Sequence, residues 1–277
     1  MKGIILFGHG YIGSEIAKEL RNQGITFFWS DHKQVLIHHK DDIVINAAGY
    51  TGKPNVDACE KHKAECIDGN IKWPLLLEQY YNNIPIIHIG SGCIYNSFAE
   101  YYFKEEDKPD FDFYNGGSFY SGCKALAEKL LQPYLNKSYI LRIRIPFGKE
   151  EHDKNYLTKL KNYDKLVDVR NSISCVEDIA KIAVYFATEL PETGIYNVVN
   201  SGKITTREVV EMMGLEKEWF MFYENFLETV KTPRSNCLLS NEKLLKIYPI
   251  RTVTEALYDC INNQFDSDIL KGEAEND

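Results

Sequence analysis

Residues 8–13 read GHGYIG, and this turn restricts what the chain can fold into more than any other stretch. Before it stands a β-type run, KGIILFG. After it comes SEIAKELRNQG, helical in pattern with apolar residues at 16, 17 and 20, and then a second apolar run, ITFFWS. Strand, glycine turn, helix and strand make a β-α-β unit. In that context Gly8, Gly10 and Gly13 match G-x-G-x-x-G, and each glycine has a reason. The first permits the turn and the second lets backbone approach a pyrophosphate. The third lets helix and strand pack closely, with the helix N-terminus facing the phosphates. Tyr11 and Ile12, between the glycines, are candidate dinucleotide contacts with them. A merely tight structural turn is the plainer alternative, and it does not call for this setting.

The residues after the second strand are mixed. Asp31 lies 23 positions past Gly8, where a carboxylate can hold the ribose 2′-hydroxyl of NAD. His32 and Lys33 follow at once and can instead pair with the 2′-phosphate of NADP. The stretch leaves both open.

Alternation continues along the chain. DIVINAAG (42–49) reads as a third strand, followed by one long helix over about 56–81. IPIIHIGSG is a fourth strand, about 119–134 a helix, and SYILRIRIP (138–146) another strand. Strands and helices alternating at this spacing predict an α/β fold: a doubly wound parallel sheet covered on both faces. Residues 1–150 are expected to form the dinucleotide-binding domain. Beyond Pro146 the pattern loosens, and 151–265 are expected to form mainly a smaller substrate lobe, with 172–200 returning to the sheet through the helical CVEDIAKIAVYFATEL. The acidic stretch at 266–277 lacks an apolar period and is expected to be disordered.

Composition narrows the function classes. With 44% hydrophobic and 26% charged residues, the 277-residue chain is ordinary for a globular protein. A net charge of −8 without a Lys/Arg cluster argues against nucleic acid as a partner. No apolar run nears the roughly 18 residues of a membrane span, and MKGIILFG starts a strand rather than a signal peptide. The seven cysteines, at 59, 66, 93, 123, 175, 237 and 260, are scattered without a C-x-x-C. Neither a disulfide framework nor a metal site is expected, and a reducing, cytoplasmic setting fits.

Chemistry concentrates in two places. Tyr120 and Lys124, in GSFYSGCKALAEKL, are four apart at a helix start and so share one face. A phenol with a pKa of about 10 is a poor acid-base group near neutrality, and an ammonium beside it is expected to lower that value. Ser91 ends the fourth strand about thirty residues upstream. After it comes Cys93, in SGCIY.

Glycine turn, Ser91 and Tyr120-x-x-x-Lys124 together resemble the short-chain dehydrogenase/reductase superfamily, in its extended, nucleotide-sugar-modifying branch, over about residues 1–265. The resemblance implies a Rossmann-type fold with a C-terminal substrate lobe. It implies that Tyr120 gives a proton to a carbonyl oxygen, that Lys124 holds the nicotinamide ribose, and that Ser91 orients the carbonyl. Asn46, Ala47 and Ala48 match the family's segment along the cofactor.

A plain reductase has no obvious use for Cys93. A thiolate can remove a proton from a carbon beside a ketone if the enolate is stabilised, and in a 4-keto sugar both C3 and C5 flank the carbonyl. Cys93 thus reads as an epimerase base in a reductase site, with inert packing as the alternative. Lys159, in DKNYLTKLKNY, is the first choice for the acid that returns the proton, since burial can lower a lysine's pKa; His152 is the second. The segments GYTGKPNVDACEKHK, GSGCIY, FKEEDKPDF, GSFYSGCKALAEKLL and NYLTKLKNYDKLVDV resemble the bifunctional 3,5-epimerase/4-reductases that complete UDP-L-rhamnose synthesis in plants and some large DNA viruses. That resemblance implies NADPH rather than NADH, and a UDP-sugar substrate with dTDP as the rival. It makes Thr51, Cys93 and Asn155 candidate substrate contacts, and places Arg234, in TPRSNCLLSNEKLLK, near the diphosphate. It also implies a homodimer built as a four-helix bundle from the helices at 56–81 and 119–134, for which Trp73, Leu76, Leu126 and Leu130 offer apolar surface, with inward packing of these four as the alternative. FGKEEHD, after Pro146, departs from the pattern. A 4-reductase without epimerase activity and a non-catalytic nucleotide-binding subunit are the competing expectations.

Overall fold

Ile4–Phe7 is buried on both faces, which only the interior of a sheet covered on two sides provides. It is the first strand, β1, of a computed structural model that describes residues 3–30, 35–36, 38–40, 42–53, 55–98, 100–111, 113 and 117–274. Five more strands join it: β2 (Phe27–Ser30), β3 (Ile43–Asn46), β4 (Ile86–Ser91), β5 (Tyr139–Ile143) and β6 (Gly194–Asn197). All pairs are parallel, in the order β6-β5-β4-β3-β1-β2. Register is set by apolar residues: Ile4 lies opposite Phe27 on one side and Ile43 on the other. The order reverses direction between β1 and β3, and there the strand ends open a crevice.

Helices cover both faces. α1 (Tyr11–Asn22) and α6 (Val176–Glu189) pack Ile16, Ala17 and Leu20 with Ile179, Ala183 and Phe186 over one face. Each large side chain fully buried there is worth roughly 1.5–3 kcal/mol. On the other face α2 (Lys63–Ile67) leads into α3 (Trp73–Tyr80), and α4 (Phe119–Leu131) lies alongside. The single helix expected over 56–81 is interrupted. Val56–Glu60 is a 3-10 segment, and a π turn at Asp68–Lys72 joins α2 to α3. Pro74 is the cause: it has no N–H for the carbonyl of Asn70, and its ring needs the wider turn. Of the two placements open to Trp73, the structure takes the inward one: it meets Phe7 edge-on at 5.3 Å between ring centroids. Leu76 and Leu130 do face outward, and Leu126 is half-buried.

Two polar networks fix the elements beneath the crevice. The Arg142 guanidinium on β5 forks onto Glu128 of α4, Nε to Oε2 at 2.8 Å and Nη2 to Oε1 at 2.6 Å, both residues buried. Asn46 Nδ2 meets His88 Nδ1 at 3.1 Å, and His88 Nε2 meets Glu78 Oε1 at 3.0 Å. Glu78 also accepts from Lys137.

The remaining chain builds a second apolar cluster from Phe147, Leu157, Leu160, Leu166, Val209 and Leu257, with α5 (Tyr156–Asn162) and α7 (Thr206–Met212) around it. The last helix, Val253–Ala274, takes in most of the stretch expected to be disordered. Its anchored first turns supply the nucleus, so each further residue adds only propagation. Side chains from 264 onward and residues 275–277 lie outside the described ones. Among the described residues, no helix is long and apolar enough to cross a membrane.

Candidate active site

A cavity of about 1030 Å³ lies over the C-terminal ends of the strands. That is at the upper end of what one small ligand needs and is room for a dinucleotide with a second ligand. Gly8, Gly10, Tyr11, Ile12, Ala47 and Ala48 form one end of its lining. Gly8 has φ +104°, and a Cβ there would stand 2.6 Å from the Ala48 nitrogen. A Cβ on Gly13 would stand 2.0 Å from the Gly8 carbonyl oxygen, so α1 is pressed onto the turn, whereas one on Gly10 would meet nothing within 4 Å. Backbone is thus open to the cavity where a pyrophosphate needs it, and the groove fits a dinucleotide. Asn46 sits behind this lining, not in it: its Oδ1 accepts the Ala48 N–H at 3.2 Å and so sets the loop. Asp31, His32 and Lys33 lie outside the described residues.

Ser91, Cys93, Tyr120, Lys124 and Lys159 all line the same cavity, as do Thr51 and Arg234. Ser118 caps α4, accepting the Ser121 N–H at 3.1 Å, and so fixes the turn that carries Tyr120. Ser91 Oγ accepts the Cys93 backbone N–H at 3.1 Å, and Ser91 and Tyr120 share the cavity lining. The Ser91 hydroxyl thereby fixes the backbone that carries Cys93. Burial pushes the Tyr120 phenol above its ordinary value, Cys93 acts in the same direction, and Ser91 opposes them. This corrects the lowering expected from Lys124: desolvation decides the direction. The phenol stays protonated at neutral pH, as a proton donor must. Lys124 is itself pushed down by burial.

Between the two candidates for the second acid, the geometry separates clearly. Lys159 faces the cavity, and its pKa is lowered by burial and then by the like charges of Lys154 and Arg234. His152 is exposed and stacks on Tyr11, centroids 4.5 Å apart. Asn155, expected to touch substrate, is fully buried and caps α5. Its Oδ1 accepts from Leu157 N at 3.0 Å, and its Nδ2 donates to the Gly148 and Glu150 carbonyls. A cap satisfies helix N–H groups that would otherwise be orphaned, and that need claims the side chain. Arg234 lies on the cavity wall but grips Asp57, Nη1 to Oδ1 at 2.6 Å and Nη2 to Oδ2 at 2.9 Å.

Two cations were not anticipated. Arg144, on the chain leaving β5, points Nη1 at Cys93 Sγ from 2.9 Å, while Nη2 holds Asn171 Oδ1 at 2.7 Å and the Ser235 carbonyl. It is buried. The next residue, Ile145, has φ +37°, an uncommon conformation for a β-branched side chain, and both residues border the cavity. Lys154 also lines the cavity and donates to Thr51 Oγ1 at 2.6 Å. RIRIP carried the signal for Arg144, since an arginine inside a buried strand needs a partner.

Residues 1–264 match the family described as RmlD substrate binding domain. The chain is 33% identical to an Arabidopsis thaliana bifunctional dTDP-4-dehydrorhamnose 3,5-epimerase/dTDP-4-dehydrorhamnose reductase, over 90% of this chain and 88% of that protein. It is 32% identical to a trifunctional UDP-glucose 4,6-dehydratase/UDP-4-keto-6-deoxy-D-glucose 3,5-epimerase/UDP-4-keto-L-rhamnose-reductase of the same plant, over 90% of this chain but only 40% of that longer protein. The crystal structure of the L780 UDP-rhamnose synthase from Acanthamoeba polyphaga mimivirus superposes with a TM-score of 0.83 at 26% identity, covering 94% of this chain and 99% of that one.

Proposed function

Because the chain belongs to the RmlD substrate binding domain family, we propose that it is an NADPH-dependent nucleotide-sugar 3,5-epimerase/4-reductase. In this reading it converts UDP-4-keto-6-deoxy-D-glucose to UDP-L-rhamnose. The observation that carries the reading is the grouping of Ser91, Cys93, Tyr120 and Lys159 on one cavity, with Ser91 accepting the Cys93 N–H. The names of the similar plant and viral proteins support the sugar and both reactions.

Cys93 acts first, as the base, with its sulfur held by the Arg144 guanidinium. It takes the proton from a carbon flanking the C4 ketone, and the bonding pair moves to O4. Tyr120 and Ser91 hydrogen-bond that oxygen and stabilise the enolate. Lys159 returns a proton to carbon from the other side, which inverts the centre. Once Cys93 has released its proton to solvent and Lys159 has taken one up, repeating this at the second flanking carbon inverts both C3 and C5. The groove at Gly8, Gly10 and Ala48, with Tyr120 and Lys124 further in, would hold the dinucleotide. Its reduced nicotinamide, when bound, supplies the hydride for C4. Tyr120 then gives its proton to O4, which its raised pKa permits at neutral pH. Arg234 and Lys154 place positive charge on the cavity wall for a diphosphate, with Asp57 holding the Arg234 guanidinium in place. Pairing of two copies through α3 and α4 belongs to the same proposal, using the exposed Leu76 and Leu130.

Incubating the purified chain with UDP-4-keto-6-deoxy-D-glucose and NADPH tests the reading. UDP-L-rhamnose is the expected product. A UDP-6-deoxyhexose of unchanged C3 and C5 configuration would leave a 4-reductase alone. No NADPH consumption with either the gluco or the already epimerised 4-keto sugar would leave a non-catalytic binding subunit.

A further inference from the structure

Cys175 and Cys260 are 85 positions apart, and the fold brings their sulfurs to 3.9 Å. Cys175 is the N-cap of α6, and Cys260 lies in the last helix; both are fully buried. Glu177 joins them. Its Oε2 is 2.9 Å from Cys175 Sγ and 3.9 Å from Cys260 Sγ. Its Oε1 accepts the Lys149 backbone N–H at 2.9 Å, an orientation that keeps Oε2 on the sulfurs. A fourth group comes from the glycine turn. The Tyr11 hydroxyl belongs to a residue about nine-tenths buried and has no hydrogen-bond partner. It lies on the Glu177 side of this cluster. The hydroxyl and Glu177 Oε1 also border one point beside Gly148, 2.8 and 3.2 Å from where a Cβ would stand.

We infer that Cys175, Cys260 and Glu177 form a binding site for one divalent metal ion of the zinc class, with the Tyr11 hydroxyl at its open side. In a tetrahedral site with zinc–sulfur bonds of about 2.3 Å, two thiolates stand about 3.8 Å apart. The sulfurs here are 3.9 Å apart. A carboxylate oxygen bound at about 2.0 Å stands about 3.5 Å from each sulfur, so Oε2 needs to move by about 0.9 Å, away from Cys175 and toward Cys260. Two sulfurs with one oxygen select zinc over magnesium or calcium, which take oxygen ligands. Binding sends both thiol protons to solvent, and each sulfur then gives the ion an electron pair without any change of oxidation state. Arg251 Nη2, 3.4 Å from Cys175 Sγ, adds positive charge outside the ligand set. The ion would tie the last helix to α6 beneath the glycine turn, a structural role away from the sugar chemistry. Sequence spacing pointed away from any metal site because the ligands come from two distant elements and form no C-x-x-C.

Titrating the reduced, metal-free, full-length protein with Co²⁺ and then Zn²⁺ tests this without substrate. One equivalent of Co²⁺ is expected to give thiolate-to-cobalt charge-transfer absorption, which Zn²⁺ then abolishes while raising Tm. Cys66→Ser, in a separate buried group of thiols with Cys59 and Cys123, is expected to keep the signal. Cys175→Ser and Cys260→Ser are expected to weaken binding at least about 100-fold, since even loss of an outer-shell partner costs 10–100-fold. Glu177→Gln, which keeps the side chain's shape, is expected to weaken it about 10-fold or more and serves if the serine variants do not fold. No charge-transfer absorption in the reduced wild type would overturn the proposal. So would an unchanged signal in the Cys175→Ser/Cys260→Ser double variant, or a Cys175–Cys260 disulfide that persists under reduction and excludes metal.

Discussion

The Arg144 guanidinium stands 2.9 Å from the Cys93 sulfur, and both residues line the cavity that holds Tyr120. The contact fixes the sulfur where it acts and gives it a charged hydrogen-bond donor. Arg144→Gln is therefore expected to slow solvent exchange at C3 and C5 by roughly 10²-fold or more, the usual scale for one acid-base element. Reduction of a substrate already inverted at both carbons is expected to lose much less. Because Asn171 and the Ser235 carbonyl also depend on Arg144, Tm is expected to fall too. Exchange and reduction rates measured side by side on folded protein separate the two effects.

Tyr120→Phe is expected to cut the reduction rate by roughly 10²–10⁴-fold, through loss of the O4 proton donor. Ser91→Ala is expected to cost less, because Tyr120 remains. NADPH consumption with the epimerised 4-keto sugar reads both directly.

Burial and the charges of Lys154 and Arg234 lower the Lys159 pKa below its ordinary 10.5. As an acid, Lys159 works only while protonated, so exchange should decline with rising pH and do so below 10.5. Lys154→Gln removes a like charge and is expected to move that decline to higher pH. A pH profile of deuterium incorporation, wild type against variant, checks the direction of the shift.

Glu78 provides a second pH dependence, in stability. Burial alone would raise its pKa, but His88 and then Lys137 and Ser138 outweigh burial and hold it below 4.5. A carboxyl lowered on folding contributes stability that is fully present above the unfolded value and is lost as pH falls through the folded one. Tm is expected to hold steady above about pH 5 and to drop in acid below 4.5. Glu78→Gln is expected to flatten that acid drop and to cost about 3–5 kcal/mol near neutrality, as removal of one partner from a buried charged network does. Thermal melts across pH 3–7 (range ~4 units around the carboxylate values) read both.

What could be read from the sequence was local. Gly8, Gly10 and Gly13 announce themselves because a turn, a close approach and a packing contact all fall within six residues. Tyr120 and Lys124 do so because one helical turn separates them. The π turn before Trp73 was also legible in principle, since Pro74 was in plain view. What escaped depends on residues far apart meeting in space. Arg144 finds Cys93 across 51 positions, and Arg234 finds Asp57 across 177. Asn155 misled for the opposite reason: its segment does reach the cavity, but its own side chain is taken by the start of α5. Trp73 stayed open because an aromatic ring on a surface helix and one under it have the same sequence pattern.

The central claim is that the Cys93 sulfur removes protons from the same sugar that Tyr120 protonates on oxygen. Turnover of UDP-4-keto-6-deoxy-D-glucose in D₂O with NADPH, followed by locating deuterium in the product, measures it directly. The wild type is expected to place deuterium at both C3 and C5, and Cys93→Ala at neither while still reducing the pre-epimerised sugar. Equal incorporation with and without the sulfur, or reduction by the wild type with no deuterium at either carbon, would contradict the account.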